Sequence, residues 1–417
     1  MQSISKNNLS DEIVLIALWI SIQILYEFSF ASAPVGYDIK GMIPVIETLS
    51  LQQIIPDSSV LYYGYHPPLG FWTIKIIAML ATLTSFAASR FAAWTAMIIA
   101  FFLYRAALKN WKLASTPEGL VMLFIPFSLP IAHFLSVAVS LDVFIFLCAT
   151  GVLYELSRLS VDRSQYWSMR LMLWLSAAML IKYSGILLLA LPLLFHVFGM
   201  TRTTITKTLL TICTSVLLVT PFYIGHNVMQ KGSLFYNTAN DYFMILDTKH
   251  ARKRRDSDRL SFIASFALPT LEKKVDTTRL LPSRLSFLWR QFWRAPETFN
   301  PFVKNGYISE ILSSLFFLIC FGGMWLSWTK RKEKGAMQRI ARISLIFGVV
   351  QILALCFFHW QYPHPGSFSL KAVYIAPVLL TIGVLVAQSL SLLLRIKQHA
   401  PLLIAGFMVI VATARLL

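Results

Sequence analysis

Charge is scarce in this 417-residue chain: Asp, Glu, Lys and Arg together make up 13% of it, against 57% hydrophobic residues. Soluble domains carry about a quarter of their residues charged, so this composition excludes one. Acids are scarcer still, 19 against 37 Lys and Arg. Cysteine is nearly absent. Cys148, Cys213, Cys320 and Cys356 all lie inside apolar runs, without a pair at metal-ligand spacing or a disulfide framework, and they read as small buried hydrophobes. Internal repeats and low-complexity tracts are lacking too, which excludes solenoids and disordered arrays.

What fills the chain instead is long apolar segments, with a mean hydropathy of +0.65. The expected class is an all-α polytopic membrane protein. A span needs ~20 apolar residues, and the candidate runs are 13–33, 89–108, 117–135, 138–157, 168–181, 184–199, 207–226, 307–328, 340–359, 371–394 and 400–416. That is about eleven transmembrane helices. The net charge of +18 would suit nucleic acid, but Lys and Arg recur between the apolar runs, as the positive-inside rule distributes them. No nucleic-acid partner is expected. Ala31-Ser32-Ala33 mimics a signal-peptidase site, yet Pro34 follows and the run before it is long enough to span, so it reads as an uncleaved first helix.

With the N-terminus inside, the inner loops carry Arg105, Lys109 and Lys112, then Arg158 and Arg163, Arg202 and Lys207, the run from Lys330 to Arg342, and Arg395 with Lys397. Every inner loop is basic only if residues 66–85 do not cross. They are therefore expected to form a juxtamembrane helix on the outer surface. Three units follow: residues 1–226, a transmembrane module holding a first external loop at 34–88; residues 227–306, a large external loop; and residues 307–417, the C-terminal membrane helices. The large loop is strongly basic from "KHARKRRDSDR" onward. Its "RLSFIASFALPTL" and "SRLSFLWRQFWRAP" have the aromatic, Leu and Arg spacing of interfacial helices, suited to anionic membrane lipids.

The few acids mark candidate chemistry. Asp38 follows the first span in "APVGYDIKGMIPVIE", with Glu47 further along a short amphipathic helix, and Asp142 opens a span in "SVAVSLDVFIF". The Lys/Arg topology puts Asp38 and Asp142 on one outer face. Desolvating a carboxylate is costly, so each is a functional candidate, set against a plain helix-capping role. Lys182 interrupts "SAAMLIKYSGILLLALPLLF" at the expected outer turn of a hairpin. There it meets a lipid phosphate, pairs with an outer carboxylate, or merely snorkels. His359, His364 and Lys371 lie at another outer mouth, where phosphate binding and ordinary loop polarity are both open. In "YYGYHPPLGFW", residues 62–72, the prolines force His66 out of any helix from upstream and suit the first turn of a new one. Tyr62 to His66 then form an extended aromatic rim, fit either for stacking on sugar or for headgroup depth.

Together "GYD" after the first span, "HPPLGFW", an Asp opening the fourth span, "IKYSG" in the next hairpin and Arg90 opening the second span resemble the GT-C membrane glycosyltransferases. Within them the look is that of the protein O-mannosyltransferase-like and aminoarabinose-transferase-like group. The C-terminal "KAVYIAPVLL" resembles that group's pattern of a basic residue, Tyr and Pro. The resemblance implies a GT-C fold and transfer of a sugar from a polyprenyl-phosphate donor to a lipid, glycan or protein hydroxyl, with inversion. The site would lie on the periplasmic face of a bacterial inner membrane. It implies Asp38 as general base, Asp142 as a second acidic position, and Tyr37, Tyr63, His66, Arg90, Lys182, Tyr183 and Lys371 around the substrates. Ile39 stands where many relatives have a second acid, and Leu141 where many have Asn. Hard cations want several oxygen ligands, so neither metal nor cofactor is expected. The rival class is a secondary transporter or a flippase of lipid-linked sugars. Transporters place ionisable groups near the midplane and often show inverted repeats; neither feature is visible in this sequence.

Overall fold

The structure, a computed structural model, describes residues 6–29, 39–55, 66–161, 168–201, 203–235, 288–289, 292, 306–329, 335–361, 372–391 and 400–416. Among these residues the regular structure is helical, without strands. The helices are α1 (Lys6–Ser29), α2 (Ile39–Thr48), α3 (Leu69–Leu80), α4 (Ser85–Asn110), α5 (Pro117–Ser128), α6 (Pro130–Val137), α7 (Asp142–Val161), α8 (Met169–Ile181), α9 (Ala190–Val197), α10 (Ile205–Thr220), α11 (Gly306–Thr329), α12 (Ala336–Gln361), α13 (Val378–Leu390) and α14 (Ala400–Leu416). Among the described residues four stretches are long and apolar enough to cross a bilayer, Ser85–Asn110, Asp142–Val161, Ile205–Val228 and Ala336–Phe357, and α5 with α6 makes a fifth if that bent pair is one span. Six further apolar helices are shorter. The protein is an integral membrane protein.

Local signals start these helices where the chain turns. Thr84, Thr116, Ser168 and Thr204 each accept a hydrogen bond from a backbone N–H in the first turn of α4, α5, α8 and α10, which satisfies a donor that the helix itself leaves open. Pro117, in the first turn of α5, has no N–H to lose there.

Two ion pairs fix how the first helices run. Glu12, near the start of α1, meets Arg105, near the end of α4, at 2.5 Å. Glu27, near the end of α1, meets Arg90, near the start of α4, at 2.8 Å. The reversed order makes α1 and α4 antiparallel, so the chain between them leaves and returns at one end of the bundle. α3 has 12 residues, about 18 Å at 1.5 Å per residue, well short of the ~30 Å hydrocarbon core. It leans on α4, α2 and α8, while Lys75 donates to the backbone carbonyl of Glu47 at 3.2 Å. The prolines sit one step earlier than expected: Pro68 immediately precedes α3 rather than lying in its first turn.

Other expectations are corrected. The run 117–135 is two helices bent by 53°, because Pro130 follows the extended Leu129, and proline pushes the residue before it out of the helical region. The span expected at 138–157 begins only at Asp142. The hairpin expected at 168–199 is α8, then an extended Lys182, a 3-10 turn Tyr183–Leu189, and α9. The run 371–394 is helical as a 3-10 turn Ala372–Ile375 followed by α13. Cys213 is exposed on α10, while Cys148, Cys320 and Cys356 are buried.

The C-terminal helices are not appended but interlocked. α13 packs on α5, α11 and α12, and α14 packs on α5 and α1, so one apolar core joins residues from Leu15 to Val411. Within "SRLSFLWRQFWRAP", Leu288 and Phe292 are buried in that core, and Trp289 meets Phe317 edge-on at 5.4 Å.

Candidate active site

Asp142 opens α7 and Lys182 follows α8, 40 residues along, and the two meet at 2.7 Å between Lys182 Nζ and Asp142 Oδ1. Both are buried, 2% and 8% exposed, which ionised side chains adopt almost only when paired. The carboxylate's other oxygen accepts from Ser140 Oγ at 2.8 Å, and Ser140 Oγ accepts from the Asp142 N–H at 3.1 Å. Asp142 therefore does more than start a helix, and Lys182 does not snorkel. The Lys182 ammonium also lies 4.2 Å from the ring centroid of Tyr374, a cation over an aromatic face. That brings "KAVYIAP", from the far end of the chain, onto the pair.

The "HPPLG" stretch forms the adjoining wall. A side chain at Gly70 would come within 2.6 Å of Leu141 and 3.4 Å of Ile181, the neighbours of Asp142 and Lys182 in sequence. Only glycine lets α3 approach this closely. His66 is buried, its ring 6.4 Å from that of Tyr183. Gly185 serves the turn in the same way, since a side chain there would lie 2.1 Å from the Ala178 carbonyl oxygen.

Tyr183 is the hub of an aromatic group. Its ring lies 5.8 Å from both Tyr223 and Phe235. Its hydroxyl accepts from Asn227 Nδ2 at 3.0 Å, and the same amide group donates to the Leu234 carbonyl at 3.0 Å. Asn227 lies in a π-helical stretch, Pro221–Val228, that continues α10. Such wide turns are frequent at functional sites.

Of the residues singled out in the sequence, the structure joins Asp142 to Lys182 and sets His66 against Tyr183. Arg90 is at the same end of the bundle but on a different partner, Glu27. Asp38, Tyr37, Tyr63, Lys371, His364 and the basic run 249–287 lie outside the described residues, as does the side chain of His359. α2 begins at Ile39, the residue after Asp38. Sequence reasoning missed Ser140 as a partner of Asp142, noted Tyr374 only as the Tyr of the basic-residue, Tyr, Pro pattern, and missed Asn227, Tyr223 and Phe235 altogether. For Tyr374 the signal was present in its Lys, Tyr, Pro setting; for Asn227 it was an Asn inside an otherwise apolar helix end.

Residues 65–224 match the family described as dolichyl-phosphate-mannose-protein mannosyltransferase. The match carries a GT-C type glycosyltransferase domain over that segment, and it contains His66, Arg90, Asp142, Lys182 and Tyr183. No curated protein and no solved structure matches the chain.

Proposed function

We propose that this membrane glycosyltransferase moves a sugar from a polyprenyl-phosphate carrier to a hydroxyl of a lipid, glycan or protein, on the periplasmic face of a bacterial inner membrane. The observation that carries the reading is the buried Asp142–Lys182 pair at 2.7 Å, walled by His66 and Tyr183 inside the segment that matches the mannosyltransferase family.

A sugar joined to a lipid phosphate through its anomeric carbon already has a good leaving group. The acceptor oxygen bonds to the anomeric carbon as the bond from that carbon to the phosphate oxygen breaks, inverting the centre. The acceptor proton passes to Asp38, and the bonding electrons leave with the lipid phosphate. A base and fixed cations are what this step needs. Lys182 and Lys371 hold the departing charge, with Arg90 as a further cation for the donor. Asp142 acts by holding Lys182 in place, and Tyr374 steadies the ammonium. Tyr37, Tyr63, His66 and Tyr183 line the path of donor and acceptor.

The test is purified protein in liposomes with a defined polyprenyl-phosphate sugar, following release of the lipid phosphate by mass spectrometry. Asp38→Asn is expected to slow transfer by about 10²–10⁴, the range for loss of a general base, without loss of folding. Full transfer by that variant would remove Asp38 from the mechanism. Movement of the intact donor across the bilayer without transfer would instead make the protein a flippase.

A further inference from the structure

We propose that Tyr183, Tyr223 and Phe235, held together by Asn227, form the wall that recognises the sugar ring of the donor. The proposal rests on the reading above and adds where the sugar is told apart. Asn227 is the organising residue. Buried to 1% exposure, it spends its amide on two partners at once, the Tyr183 hydroxyl and the Leu234 carbonyl. One arm thus fixes a ring next in sequence to Lys182, and the other fixes the backbone beside Phe235.

The surrounding chain serves the same placement. The π-helical stretch puts Tyr223 and Asn227 on the side facing Tyr183, and the Tyr223 hydroxyl is tied to the Met179 carbonyl on α8 at 2.9 Å. Gly232 then turns the chain with φ of 71°, a conformation that favours glycine, and Phe235 comes back edge-on to Tyr183 and at 5.9 Å to Tyr223. Phe235 remains 43% exposed.

The chemistry favours a sugar over a prenyl chain on this wall. The aromatic faces suit the C–H side of a pyranose, and the Tyr183 hydroxyl, held by Asn227, lies among them. A polyprenyl tail would be better served by unbroken aliphatic surface. The wall is also continuous with Lys182, where the donor phosphate belongs, and a glycosyl group is bonded directly to that phosphate. Asn227 and Phe235 fall beyond residue 224, outside the family match.

The experiment measures binding of farnesyl phosphate and of farnesyl phosphates carrying mannose, glucose or an aminopentose to the purified full chain in detergent. The wild type is expected to bind one glycosylated probe more tightly than bare farnesyl phosphate. Phe235→Ala is expected to erase that margin, about 10-fold, while bare farnesyl phosphate binds unchanged and so reports intact folding. Phe235→Trp is expected to keep the margin, and Tyr183→Phe, which removes only the hydroxyl, to narrow it. A margin untouched by Phe235→Ala and by Tyr183→Ala would overturn the wall while leaving the glycosyltransferase reading intact. Failure of the wild type to bind any of the probes would overturn both.

Discussion

Replacing Lys182 by Met keeps the length and most of the packing of the side chain but removes its charge, and it leaves Asp142 buried with Ser140 as its remaining side-chain partner. At 2.7 Å and an effective dielectric of about 20, the lost attraction is about 6 kcal/mol before any solvation cost. Removing both charges would also remove the several kcal/mol spent on desolvating each ion, so the pair as a whole is nearly neutral for stability. Removing one is not. A single buried charge left behind costs about 3–5 kcal/mol, and the lost cation–π contact with Tyr374 adds up to about 1 kcal/mol. At about 2 °C per kcal/mol, the low end for larger chains, the thermal midpoint of Lys182→Met in detergent is expected to fall by about 6–12 °C. The double variant Asp142→Asn with Lys182→Met is expected to recover most of that loss while remaining inactive. The assay is tryptophan fluorescence during heating, read beside sugar transfer. If Lys182→Met melts with the wild type, or if the two substitutions add without recovery, the buried pair does not exist as described.

Three more outcomes follow from the geometry. Gly70→Ala is expected to destabilise the chain by about 1–3 kcal/mol through crowding against Leu141, and Leu141→Ala in the same chain to restore part of it, checked by the same melting curves. Arg105→Gln, which strands the buried Glu12 carboxylate, is expected to cost about 1–3 kcal/mol at the end of the bundle away from the candidate site, and so to leave transfer by the folded protein unchanged. Arg90→Gln, which leaves the one-third-exposed Glu27 without its cation at the end of the bundle that holds the candidate site, is expected to cost no more stability than Arg105→Gln but to reduce transfer; equal loss of transfer in the two would remove the distinction between the two ends. Single cysteines placed at Thr82 and Ser233 in a chain lacking the four native ones are expected to react with an impermeant thiol reagent from one side of the membrane. Cysteines at Lys112 and Gly335 are expected to react only from the other, and labelling of Thr82 and Lys112 from the same side would break the antiparallel α1–α4 arrangement.

The parts of this molecule legible in the sequence are those where a cost shows locally. A lysine inside an apolar stretch and an aspartate at the head of another are expensive alone, and that expense is why they meet. The charge pattern also carried the expectation that residues 66–85 do not cross, and the ion pairs of α1 and α4 show those two helices running antiparallel. Hydropathy did not reveal the break at 129–130, because averaging over a window hides the conformational effect of one proline. Nor did it reveal Tyr374 against Lys182 or Asn227 against Tyr183, since such contacts depend on how helices far apart in sequence are packed. Gly70 was there in the letters but read only as one residue of the surface helix that follows the aromatic rim. Only the position of Leu141 shows why no larger residue fits.

The central claim is that this chain adds a sugar to an acceptor, and intact-mass analysis of membrane lipids, glycans and envelope proteins from cells with and without the gene tests it most directly. The account predicts one class of molecule heavier by a single sugar residue only when the gene is present, absent again with Asp38→Asn, and a build-up of polyprenyl-phosphate sugar when the gene is lost. Identical acceptor masses in all three strains, with donor lipid redistributed between the two leaflets, would contradict it.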